Sequence, residues 1–183
     1  MNIHQLSVHH DERQDRLLLR LNTKDQQEFR FWLTRRMTLR LLPAIEKTAV
    51  RLESAQPGVA ATDAPAQHLL TEIKRDAFLQ QADFATPFDN HATQWPLGAE
   101  PLLITDAHLT IKPGGALEMA FEDKSDAAQV KSCQLHLQVS LVHGMVHLIR
   151  QANEKAEWGT LGIPAIQTEA SPAATSEPPR YTH

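Results

Sequence analysis

The chain has 183 residues, 42% of them hydrophobic and 22% charged, which suits one globular domain and excludes collagen-like, disulfide-stapled or globally disordered classes. Eighteen Lys and Arg against 22 Asp and Glu leave a net charge of -4. That balance argues against a protein whose whole surface coats nucleic acid, because phosphate neutralisation supplies most of such affinity. The single cysteine, Cys133, rules out an internal disulfide and a multi-cysteine zinc site. The N-terminal residues lack a basic start followed by an apolar run, and no stretch approaches the roughly 18 apolar residues of a membrane span. The expectation is a soluble, cytoplasmic protein without a membrane segment.

In chain order, Leu6 and Val8 alternate with Ser7 and His9, and Leu17, Leu19 and Leu21 follow at period two beyond a polar stretch. This pattern predicts a β-hairpin with one buried face. Thr23 and Gln26 have capping-box spacing. Phe29, Leu33, Met37, Leu41, Ile45 and Leu52 then recur at helical intervals, which predicts a helix that starts at Thr23 and ends near Glu53 or Ser54. Pro43 lies inside it and should kink or break it. A small-residue linker over 54–63 leads to a second helix capped by Asp63. Its buried face is expected to carry Ala66, Leu69, Leu70, Ile73 and Ala77, widened by Phe78 and Leu79.

Residues 83–100 show no period but hold Phe84, Phe88 and Trp95. Loops this long are uncommon unless functional, mobile or self-packed, and the aromatics suggest that this one lies against the body of the protein. A three-stranded meander follows. Its first turn is Lys112-Pro113-Gly114-Gly115, where proline and glycine suit the two central positions of a type II turn. Cys133 sits in the last of these strands, where a buried small hydrophobe is the expected role. A final helix, with Ser140 as cap, carries Leu141, Met145, Ile149 and Ala152 on one face and His143, His147, Arg150 and Glu154 on the other.

The element order is therefore β-β-α-α-β-β-β-α. The expected architecture is an α+β domain over 1–158, with one antiparallel sheet of about five strands and helices on one face. Residues 159–183, rich in Pro, Ser and Ala, read as a flexible, disordered tail.

Three groups of side chains are candidates for chemistry. His143 and His147 lie four apart on one helical turn, a metal-ligand spacing, and His136 is near in sequence. The residue after His143 is Gly144, where a metalloprotease helix carries its glutamate base. The plain alternative is a solvated helix face. His4, His9, His10, Asp11 and Glu12 are good ligand types, but they sit at a terminus and a hairpin tip, where polar residues are ordinary. The run 29–42 (FRFWLTRRMTLRLL) holds Arg30, Arg35, Arg36 and Arg40 with no acid. On a helix, Arg36 and Arg40 flank Trp32, a pairing that can grip phosphates, bases or an acidic partner. The plain alternative is again a solvated face.

No phosphate loop, nucleophile elbow or dinucleotide fingerprint is present. The expected function is thus a non-enzymatic interaction protein (an adaptor, small chaperone or regulator) that needs no cofactor. Its protein partner would be met through Phe84, Phe88, Trp95, Trp32, Arg36 and Arg40. Nucleic-acid binding through the arginine-rich helix 29–42 is one alternative. A metal-dependent enzyme or metal sensor using His136, His143 and His147 is another. Exposed strand edges make a homodimer one way to complete the sheet.

Overall fold

A computed structural model describes residues 3–54, 63–84 and 86–159. Apart from Ser54, Asp63 and Gly159, the linker and the tail expected from the sequence lie outside these residues.

The chain is α+β, with two sheets and three helices. β1 (Ile3–Asp11) and β2 (Arg16–Thr23) form the expected hairpin, with Leu6 opposite Leu21 and Val8 opposite Leu19. The predicted start of a helix at Thr23 is overturned. Thr23 closes a turn in which Gln26 N–H donates to the Thr23 carbonyl, and Gln26 takes a positive φ of 57°. The chain then continues as β3 (Glu28–Thr34), antiparallel to β2. Phe29, Phe31 and Leu33 are buried at period two, while Arg30, Trp32 and Thr34 face the other way. Phe29, Leu33 and Met37 satisfy a helical spacing as well, which is why the sequence misleads there. β-branched and aromatic residues favour a pleated, half-buried surface.

α1 (Arg35–Ser54) starts directly after β3 and runs through Pro43 as a single element. α2 (Ala64–Gln81) begins as expected, with the Asp63 side chain accepting from Ala66 N–H at 2.8 Å and Pro65 in the first turn. Its expected buried face holds only in part: Leu70, Phe78 and Leu79 are half-buried, whereas Ala66, Leu69, Ile73 and Ala77 are exposed. Leu69 and Ile73 are 58% and 57% exposed, and Thr71 is its one buried residue.

The expected single sheet of five strands is replaced by two. β4 (Leu102–Leu103) adds to β3 in parallel, so the first sheet has the order β1-β2-β3-β4. The second is the expected meander of β5 (Asp106–Lys112), β6 (Ala116–Asp123) and β7 (Lys131–Leu137). Between β5 and β6, Gly114 has φ +93° and Gly115 N–H donates to the Lys112 carbonyl, the reversal predicted from Pro-Gly. The sheets meet at one corner: Ile104 N–H donates to the Trp32 carbonyl in the first, and the next amide, Thr105, donates to the Glu122 carbonyl in the second.

α3 (Val139–Lys155) follows β7, starting one residue before the expected Ser140 cap. Leu17, Leu19 and Leu21 of β2 with Phe31, Phe121, Met119 and Leu135 from the sheets join Ile45, Leu52, Met145 and Ile149 from the helices in one core. The Phe31 and Phe121 rings meet edge-on at 5.2 Å. No helix among the described residues is long and apolar enough to cross a membrane.

Candidate functional site

The segment between α2 and β4 folds back over the outer face of the first sheet. That face carries the side chains that alternate with the core: Gln5, Arg20, Asn22, Glu28 and Arg30. The Arg20 guanidinium lies 4.2 Å from the Phe88 ring centre and donates to Asn90 Oδ1 at 2.7 Å. Asp89 N–H donates to Gln5 Oε1 at 2.8 Å. The Trp95 ring lies 5.8 Å from the Arg30 guanidinium, which also donates to the Ala99 carbonyl. Gln94 and Gln27 form a parallel bridge. The aromatic loop is therefore laid against the sheet by polar side chains. Phe84 and Trp95 keep 43% and 46% of their surface exposed.

Where this loop leaves α2 it closes one end of a groove of about 400 Å³ beside the first strand. Phe78 of α2, Phe84 and Phe88 of the loop, and Leu141 and Leu148 of α3 line it, together with residues 5–8 of β1. The Phe84 ring packs 4.9 Å from the His147 ring. Among the described residues β1 is paired on its β2 side alone, so its other edge borders the groove. β1 carries neither Lys nor Pro over nine residues, and Asp11 is its one carboxylate. In the second sheet the β5 edge differs, with Asp106 and Lys112, whereas β7, like β1, has one such charge, Lys131 at its start. Charges of that kind are how edges are normally protected from added strands.

The other sequence candidates do not converge. Trp32 sits in β3, half-buried and away from any helix face shared with Arg36 and Arg40. Arg36 and Arg40 are exposed on the first turns of α1 and border a hollow with Leu103, Ile104 and Thr105. Arg30 faces Trp95, and Arg35 donates to the Trp158 carbonyl at 3.1 Å. The helix expected over 29–42 is thus split between a strand and a helix, and its arginines point to different partners.

The histidines are also dispersed. His136 is exposed on β7, 3.0 Å from Glu118. The Lys112 hydrogen bond and charge, helped by His136, hold the Glu118 carboxyl below its usual range. His143, expected on a solvated face, is 3% exposed, with Nε2 3.2 Å from Glu53 Oε1. Glu53 is itself 4% exposed and is bonded on its other oxygen by Lys74, so one carboxylate of α1 ties in α2 and α3. His147 turns instead to Phe84. No group of three or more metal-ligating side chains with suitable geometry occurs among the described residues. His4 lines the β1 groove, and His9, also exposed, is held below its ordinary pKa by partial desolvation and by the Arg20 charge. Burial pushes the Cys133 thiol up to about 11, so it is an inert core residue.

Sequence reasoning found Phe84 and Phe88 but missed Phe78, Leu141 and Leu148 as their companions. The available signal was the unguarded composition of β1. No protein-family model, curated protein or solved structure matches the chain.

Proposed function

We propose that the protein is a non-enzymatic interaction protein that holds an extended segment of a partner polypeptide along the free edge of β1. The observation that carries this reading is that residues 4–8 of β1, a strand paired on one side alone among the described residues, share a groove with Phe78, Phe84, Phe88, Leu141 and Leu148. An added strand gains main-chain hydrogen bonds from the edge, and every second side chain can enter the groove. Phe84 and Phe88, expected from the sequence as contact residues, serve here as groove walls. Trp95, Trp32, Arg36 and Arg40 lie outside the groove and have no part in this reading.

A second copy of the chain is the weaker occupant. Its own β1 already commits Leu6 and Val8 to its own core, so it would bring no free apolar side chains to the groove. An unfolded partner segment brings them at every second position.

The test uses a permanently unfolded polypeptide, fluorescently labelled reduced and carboxymethylated α-lactalbumin, followed by anisotropy. Saturable binding is expected. It should weaken about tenfold in Phe84→Ala, which removes a groove wall, and in Ser7→Lys, which adds a charge at the edge. Absence of binding, or equal binding by both variants, overturns the reading. Dimerisation that disappears in Ser7→Lys would assign the edge to a second copy instead.

A further inference from the structure

The three helices leave a second cleft of about 480 Å³, which shares no lining residue with the β1 groove. Its floor is apolar: Pro43, Ala49 and Val50 of α1 and Val146 of α3. Its inner end is closed by the buried His143, which is bonded to Glu53. The volume falls within the range of small-molecule sites, which combine apolar walls with a few placed polar groups.

The charged groups at the mouth are unequal. Lys47, Arg51, Arg75 and Arg150 line the cleft with two carboxylates, Glu46 and Glu72. Glu46 is taken by Arg150 at 2.7 Å, and Glu72 lies 3.8 Å from His68. Arg75 is paired with Asp76 at 3.1 Å. Lys47 and Arg51 make no ion pair among the described residues. They stand four apart on α1 and so lie on one face, one turn from each other. An acidic protein thus places two cations, without an ion pair among the described residues, side by side at the rim of an apolar hollow.

We infer that this cleft binds an amphipathic organic anion, its hydrocarbon body on Pro43, Ala49, Val50 and Val146 and its charged head between Lys47 and Arg51. The apolar floor selects against small inorganic ions. The cation pair selects against neutral or cationic amphiphiles of equal length. The site shares no lining residue with the β1 groove.

The experiment is calorimetric titration of the full chain with decanoate, below its micelle concentration, beside 1-decanol and decyltrimethylammonium. Saturable one-to-one binding of decanoate is expected, with decanol and the ammonium at least about tenfold weaker. Affinity should fall as salt rises from about 50 to about 300 mM, because exposed charges are screened over these distances. Lys47→Glu combined with Arg51→Glu should abolish the preference for the anion. Both side chains are exposed, and retained thermal melting checks that the fold survives. Leu69→Ser with Ile73→Ser removes the apolar stripe on the outside of α2 and should leave binding unchanged, as should Phe84→Ala. Equal binding of decanol, an unaffected charge-reversed variant, or loss of binding in the α2 stripe variant would each overturn the proposal.

Discussion

α2 and α3 are nearly equal in length, at 18 and 17 residues, yet they are held in opposite ways. α3 buries eight residues, Val142, Met145 and Ile149 among them, against both sheets and α1. α2 buries Thr71 alone and turns Leu69 and Ile73 to the outside. Its attachment is mixed: Phe78 packs over Gly144 of α3, and Lys74 reaches the buried Glu53, which also holds His143. An apolar stripe at helical spacing therefore says that a helix forms. Which side of it meets the protein depends on what the neighbouring elements offer. Here α1 offers a buried carboxylate.

The largest effect that can break this comparison lies in α3. Ile149→Ala deletes side-chain volume at a position 1% exposed, in a close-packed core. It should cost about 4 kcal/mol in urea unfolding, transfer and cavity terms together. Next comes Glu53→Ala. Removing one partner from a buried ion pair costs about 3–5 kcal/mol, and the lower end, about 3 kcal/mol, is expected because the Lys74 side chain is 34% exposed and can turn to water. Hydrogen exchange should show its effect concentrated in α2, whereas Ile149→Ala loosens the whole domain. The smallest effect is Leu69→Ser. If the outer stripe of α2 makes no contact in the isolated protein, stability should change by less than about 0.5 kcal/mol. A loss of 2 kcal/mol or more, on the scale of about that for a buried leucine, would show that the stripe is covered and would end the contrast between the helices.

Much of the fold is legible in the sequence wherever periodicity is unambiguous. The β1–β2 hairpin, the β5–β6–β7 meander with its Pro-Gly turn, and α3 all follow from alternation or helical spacing. β3 is not legible, because its residues satisfy both periods: Phe29 and Leu33 fit a helix, while Phe29, Phe31 and Leu33 fit a strand. Only the pairing with β2 decides, and that is a tertiary fact. The division into two sheets depends on β4, two residues long and paired in parallel with a strand about 70 positions earlier. No local pattern announces it. Of the candidate site, the aromatic residues Phe84 and Phe88 could be singled out, since a long loop rich in aromatics is unusual. Their groove could not, because Leu141 and Leu148 arrive from α3 and residues 4–8 from β1, both distant in sequence. The Glu53–His143 contact spans 90 positions and was equally hidden.

Trp158, just past the end of α3, is 5% exposed. Its Nε1 donates to Asp15 Oδ1 at 2.9 Å, its ring meets His10 edge-on, and its carbonyl accepts from Arg35. A latch of this kind joins the first reversal among the described residues to the turn that follows α3. Vectorial synthesis can deliver the opening hairpin early, but the clasp that fastens it emerges 143 positions later. The nascent protein must therefore wait, with its first apolar sheet face incompletely covered, until nearly all of the domain has left the ribosome.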